Sequence, residues 1–189
     1  MRDAALTDIG VEQASSMRQG IQELNPSLII TSPLSRSLHT TSEACADVIA
    51  SENCSVMVHP VVREHAYANC DIGSSPNCLA EKWKLWSDQL SAIPEEWWLP
   101  EDPAVVYSGA PSPRLREPWQ NLQNRAKRLV IILRDQIAAG HKRILVVGHA
   151  VLFYALLNRW VSNCELVELD LNAVRPPCSC EGYVCHCDC

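Results

Sequence analysis

Apolar positions along the chain fall into two periods, one of about 3.6 residues and one of contiguous or alternating runs, and together they predict alternating helices and strands. After Thr7, an N-cap with Leu6 stapled against Val11, the residues Val11, Ala14, Met17, Ile21 and Leu24 recur at helical spacing until Asn25-Pro26 ends the helix. Leu28-Ile29-Ile30-Thr31 reads as a short buried strand. Ser32-Pro33-Leu34-Ser35-Arg36 then turns into a helix carrying Leu38, Cys45, Val48 and Ile49. Ser55 to His59 alternates and predicts a further strand, closed by Pro60. The clearest amphipathic helix spans Glu117 to Ala139, with Trp119, Leu122, Ala126, Leu129, Leu133 and Ile137 on one stripe and Gly140 as its stop.

Arg143 to Leu157 is the most ordered stretch. Ile144 to Val147 predicts a strand buried on both faces, Gly148-His149 a turn, and Ala150 to Trp160 a helix apolar almost all round that packs into the core. Glu165 to Leu171 alternates and predicts a last edge strand. The expected fold is therefore α/β, a mainly parallel sheet flanked by helices. The chain opens on a helix where such a sheet normally opens on a strand, so a first strand is missing from the pattern.

Between Ala66 and Arg116 the pattern changes. Prolines 76, 94, 100, 103, 111 and 113 interrupt it, and five of the six tryptophans lie between Trp83 and Trp119. A stretch this long carries structure of its own, with a helix expected around Leu79 to Leu90, and acts as a cap packed on the domain beneath. Residues 1–175 are expected to form one α/β domain with this cap inserted at about 66–116, and residues 176–189 a disordered cysteine-rich tail.

Composition adds exclusions. The chain has 189 residues and a net charge of −6, with no basic run beyond pairs such as Lys142-Arg143, so neither nucleic acid nor an anionic membrane surface is expected as a partner. Its longest apolar run, 144–157, is interrupted by Gly148 and His149 and is too short to span a bilayer. A soluble, cytoplasmic protein is expected. Oligomeric state is left open.

Two positions stand out chemically. His149 follows a strand and precedes a helix, at the edge of a parallel sheet where ligands and anions bind, although a histidine there also serves simply to close a turn. Arg36 lies in the first turn of its helix. A cation there opposes the helix dipole, which is poor for stability and reasonable for holding a ligand anion.

Four segments, L-T-x-x-G-x-x-Q-A at Leu6 to Ala14, S-P-L-S-R-x-x-x-T at Ser32 to Thr40, R-E at Arg63-Glu64 and V-V-G-H-A at Val146 to Ala150, resemble in order and separation the histidine phosphatase superfamily, the phosphoglycerate-mutase-like proteins. Tyr67 to Pro76, Trp97-Trp98 and L-N-A-V at Leu171 to Val174 resemble the cap and closing strand of that family. The resemblance implies a phosphoryl-transfer site that binds a phosphorylated small molecule or phosphomonoester and needs no metal or cofactor. Arg36 would bind the substrate phosphate with its fork, His149 would both bind it and stabilise the charge of transfer, and Glu64 would be the catalytic acid for the leaving oxygen.

The family's Arg-His-Gly signature, whose histidine is the nucleophile, does not occur in this sequence. The chain is therefore expected to be N-terminally incomplete and inactive as it stands. Three readings stay open: a shortened form of a phosphatase or phosphomutase, an inactive protein that keeps a phosphate-ligand site, and a non-functional fragment with unpaired sheet edges.

The tail holds Cys178, Cys180, Cys185, Cys187 and Cys189 around His186, enough thiols for a zinc or Cu(I) site but in no zinc-finger spacing, and it is read as a tail without metal. Removing residues 178–189 is expected to leave the thermal transition and any phosphate binding unchanged, as melting and calorimetry of the truncated chain would show.

Overall fold

A computed structural model describes residues 1–51, 53–99 and 117–171. Its sheet has three parallel strands, β1 (Leu28–Thr31), β2 (Ser55–Val58) and β3 (Ile144–Val147), in the order β2-β1-β3. The register places Thr31 opposite both Val58 and Val147, so all three strands end at one edge. This is the parallel α/β architecture that the pattern predicts.

Helices cover both faces because the strand side chains alternate. Leu28 and Ile30 pack with Leu122, Leu129 and Leu152 from α7 (Trp119–Ala138) and α8 (Ala150–Leu157). Ile29 and Leu145 point to the other face. There they meet Ala14 of α1 (Asp8–Ser16), Ile21 of α2 (Arg18–Leu24), Ala44 of α3 (Ser35–Ala44) and Val48 of α4 (Ala46–Ala50).

The opening helix is split in two at Met17. Ser16 turns its hydroxyl onto the Gln13 carbonyl at 2.7 Å, the kind of local bond by which serine competes with a continuing helix. Asn25 then closes α2 in the left-handed region (φ 46°) directly before Pro26.

The described part of the expected cap, residues 66–99, holds two short helices, α5 (Pro76–Lys82) and α6 (Ser87–Ala92), joined by a 3-10 turn, in place of one helix. Its tryptophans do pack inward: Trp86, Trp97 and Trp98 are buried with Leu34, Leu38 and Val58. Trp97 donates to the Ser74 carbonyl and lies so close over Gly73 that a Cβ there would stand 2.1 Å from the indole. Gln89 of α6 closes the outer edge of β2, its side-chain amide accepting from Val58 N–H and donating to the Val56 carbonyl, each at 2.8 Å.

Three expectations change. β3 is half-buried apart from Leu145, because it lies at the margin of the described sheet with β1 as its only pairing strand there. Glu165 to Leu171 forms no strand, since no described strand lies beside it to supply a ladder; Leu169 and Leu171 instead pack on the α7–α8 core. α8 stops at Leu157, where Asn158 turns left-handed (φ 53°), so Trp160 is exposed and stacked on Tyr154. The second half of the expected cap, the L-N-A-V segment beyond Leu171 and the cysteine tail lie outside the described residues.

No helix among the described residues is long and apolar enough to cross a membrane. Leu129 is fully buried at the centre of the α7–α8 core. Leu129→Ala is expected to cost about 2–5 kcal/mol of stability, read from the shift of the urea midpoint.

Candidate functional site

The turns that leave the three strands meet at the shared C-terminal edge. The β1–α3 junction is tied to β3 by Ser32 N–H and the Ser37 hydroxyl, which both donate to the Val147 carbonyl at 3.3 and 3.1 Å. Thr31 adds hydroxyl contacts to Ser37 and Thr41 at 3.2 and 2.8 Å. This web fixes the first turn of α3, and with it Arg36, against the turn that carries His149.

His149 is the residue before α8, in extended conformation, and is 7% exposed. Its Nε2 is buried and has no hydrogen-bond partner among the described residues. A buried ring nitrogen without a partner is costly in a merely structural histidine. Burial holds its pKa well below the ordinary value, and the guanidiniums of Arg36 and Arg125 push the same way. The imidazole is therefore neutral, with one nitrogen facing the site.

Glu64 follows a 3-10 turn (Pro60–Val62) that leads out of β2. Gly148 lets this segment approach His149: a Cβ there would meet Val62 Cγ1 at 2.8 Å and Phe153 Cζ at 3.0 Å. The Glu64 carboxylate accepts from the His65 amide at 2.8 Å. Burial raises its pKa and the Asp71 carboxylate adds to the rise, while the His65 and Val151 amides and the Arg36 charge oppose it. Glu64 and His149 thus both feel the charge of Arg36.

Arg36 is not idle there. Nη1 donates to the Cys70 carbonyl at 2.8 Å and Nη2 to Asp71 Oδ1 at 3.0 Å. Asp71, itself buried, also takes the amides of Ala68 and Tyr67 at 2.9 and 3.3 Å. Asp3 completes the frame: its carboxylate accepts from Ser35 N–H and Ser35 Oγ, both at 2.8 Å, capping α3 in place of Leu34, whose side chain cannot.

Arg63, the partner of Glu64 in the R-E pair, turns away from this edge. Its guanidinium pairs with Glu117 at 3.0 Å, as does that of Arg125 at 2.6 Å, in a cluster whose side chains are 1–7% exposed. Burial disfavours the Glu117 charge, yet Arg125 and then Arg63 hold its carboxyl below the ordinary range.

Sequence reasoning missed Asp3, Asp71, Glu117 and Arg125. Two carried a signal: Asp71 is the only charged residue between positions 66 and 80, and Arg125 sits one position from Ala126 on the apolar stripe of α7. The other described histidines serve elsewhere. His39 lies 3.8 Å from Glu43, His59 Nδ1 accepts from Val61 N–H, His65 contacts the Glu117 carbonyl and His141 contacts Ser27. Of the cysteines among the described residues, Cys45 and Cys54 are buried, Cys70 and Cys164 half-buried and Cys78 exposed. Burial, with the neighbouring Cys54, pushes the Cys45 thiol up to about 12. No group of three or more His, Cys, Asp or Glu among the described residues could hold a metal ion.

Residues 1–184 match the histidine phosphatase superfamily (branch 1). Among solved structures the chain is similar to the alpha-ribazole phosphatase of Shigella flexneri, at 19% identity and a TM-score of 0.51, over 82% of this chain and 67% of that one. A protein of Escherichia coli K-12 described as an alpha-ribazole-5'-P phosphatase is similar at 19% identity and a TM-score of 0.50, over the same shares of both chains. At that identity the likeness concerns the fold. No curated protein sequence matches.

The depressed pKa of His149 has a sign that can be measured. Below its ordinary value of 6.5 the unfolded chain binds a proton that the folded chain refuses, so this stability is complete above pH 6.5 and is lost as the pH falls. Glu64 has the opposite sign, its share declining as the pH rises above 4.5 through its raised pKa. In urea melts, as the pH is raised from about 5 towards the ordinary histidine value, wild type is expected to gain stability relative to H149N by up to about 1.4 kcal/mol per pH unit, with no further gain from there to about pH 8.

Proposed function

The chain belongs to the histidine phosphatase superfamily (branch 1), and from this we propose that its site binds the phosphoryl group of a phosphomonoester. The observation that carries the proposal is the buried, unpartnered Nε2 of His149 at the same sheet edge as Arg36 and Glu64. Arg36 supplies a planar fork for phosphate oxygens, and among the described residues two of its five donor hydrogens are taken, by Cys70 and Asp71. His149 donates to an oxygen as a neutral imidazole. The similar solved structures, both described as phosphatases, support this class of ligand.

Glu64 fits the proton step. As the P–O bond to the leaving group breaks, that oxygen needs a proton, and a carboxyl whose pKa burial has raised keeps one closer to neutral pH. Arg36 and His149 meanwhile balance charge on the equatorial oxygens. Where a nucleophile is present to take the phosphoryl group as the P–O bond breaks, the alcohol would leave with the proton of Glu64, and the carboxylate would then serve as base for the water that releases phosphate from that nucleophile.

The remaining participant is the nucleophile. No Arg-His-Gly occurs in the 189 residues, and among the other described histidines His39 is engaged with Glu43, His59 with Val61, His65 with the Glu117 carbonyl and His141 with Ser27. We therefore assign to these residues the binding and proton-transfer half of the reaction, while covalent transfer needs a histidine that they do not supply. A phosphate-binding protein without turnover is the second reading, favoured by the same distribution of histidines. Residues 1–175 acting as one domain, with the cap over this edge, is part of the proposal.

Titration calorimetry with inorganic phosphate and vanadate tests it. Saturable binding to the 189-residue chain is expected, weakened about 10–100-fold in R36A, since hydrogen bonds to a charged group contribute about 1.5–3 kcal/mol. Absence of saturable binding, or equal binding by R36A, refutes the site. With p-nitrophenyl phosphate the same chain is expected to release no nitrophenol.

A further inference from the structure

The geometry points to Arg125, which shares the Glu117 carboxylate with Arg63, as a positioning residue that sets where the Glu64 carboxyl stands against the turn carrying His149. It rests on the reading of Glu64 as the proton donor, and it adds a residue on another element, α7, to the machinery of that step.

Arg125 spends its donors on two targets. Nε and Nη2 reach the two oxygens of Glu117 at 3.0 and 2.6 Å. Nη1 donates to the carbonyls of Val61 and Arg63 at 3.1 and 2.5 Å, and Nη2 also to that of Glu64 at 3.3 Å. Three of the four carbonyls from Val61 to Glu64 thus end on one guanidinium. A residue kept only to compensate the Glu117 charge would need none of them.

The far side of the same segment is held by Glu117 itself. Its amide donates to the Ala66 carbonyl at 2.7 Å, and its carbonyl takes the His65 Nε2 contact at 2.7 Å, which makes that nitrogen the protonated one. The backbone on both sides of Glu64 is therefore clamped to residues 117 and 125. Only the carboxyl is left to face Arg36, Asp71 and the Val151 and His65 amides.

An arginine is the side chain suited to this task. Its five donors lie in one plane, so carboxylate and carbonyls are met together, whereas a lysine ammonium offers three donors from a point. Buried ion clusters of this kind give little net stability over apolar packing and are retained for the arrangement they specify.

The test is the titration of the Glu64 carboxyl, followed by NMR of the full chain with carbon-labelled glutamate and assigned by its loss in E64Q. Asp71 and Arg36 are the charges that act most strongly on the Glu64 carboxyl. R125K keeps the charge and loses the fork, so a change in the Glu64 titration reports movement of the carboxyl. The expected result is a fall of the Glu64 midpoint towards its ordinary value of 4.5 as the carboxyl becomes hydrated. An unchanged midpoint in folded R125K, whatever its loss of melting temperature, overturns the assignment and leaves Arg125 a structural residue. If R125K does not fold, E117D withdraws the carboxylate by one methylene and is read in the same way. Phosphate affinity of the wild-type chain separates the two ideas, because its absence refutes the functional reading while the Glu64 midpoint still decides the role of Arg125.

Discussion

The parallel register of β1 with both its neighbours is the constraint on which the site depends. Because Thr31 stands opposite Val58 and Val147, three chain segments leave the sheet at the same level and on the same edge. Each has to turn there within a few residues, and each turn carries one of the polar groups: Arg36 after β1, Glu64 after β2, His149 after β3. Parallel pairing with helical crossovers converts residues far apart in the chain into one ring of side chains. The hydroxyl web of Thr31, Ser37 and Thr41 and the two donors on the Val147 carbonyl hold two of those turns in fixed relation.

Around that edge the charges are arranged so that few face water without a partner. Glu117 is shared by two guanidiniums, Asp71 accepts from Arg36 and two amides, and Asp3 caps α3. Among the described residues two buried side-chain nitrogens depart from this rule, Trp83 Nε1 in the tryptophan cluster and His149 Nε2 at the sheet edge, and the proposed phosphate site gives the second of them an oxygen to meet. Burial, helped by the Arg36 and Arg125 charges, lowers the His149 pKa, and burial, helped by Asp71, raises that of Glu64. Phosphate chemistry asks for that division of labour: donors for the oxygens and an acid for the leaving group.

The cap contributes through the same edge. Residues 67–73 reach Arg36 through Cys70 and Asp71, and the packing of Trp97 over Gly73 fixes that loop from behind. Arg2 adds a donor to the Gly73 carbonyl at 2.8 Å and stacks 4.7 Å above the Trp98 ring. A tryptophan-rich stretch that reads only as apolar packing thus bears directly on the orientation of the Arg36 guanidinium.

Periodicity in the sequence determined the three strands, the main helices and the placing of Arg36 and His149 at element ends, because these are local properties that three to twenty neighbouring residues decide, whereas Glu64 was legible only through the family resemblance. It overreached where pairing is needed: Ile144 to Val147 is apolar enough for a fully covered strand, and Glu165 to Leu171 alternates, but burial and ladders depend on what lies alongside. Only the tertiary structure decided which charges meet. Arg36 reaches Asp71 across 35 residues and Arg125 reaches Val61 across 64, and no local pattern distinguishes Arg63, which turns to Glu117, from Glu64 beside it, which turns to the site. The strength of such contacts comes from burial shared by separate elements, and burial exists only once the elements have packed.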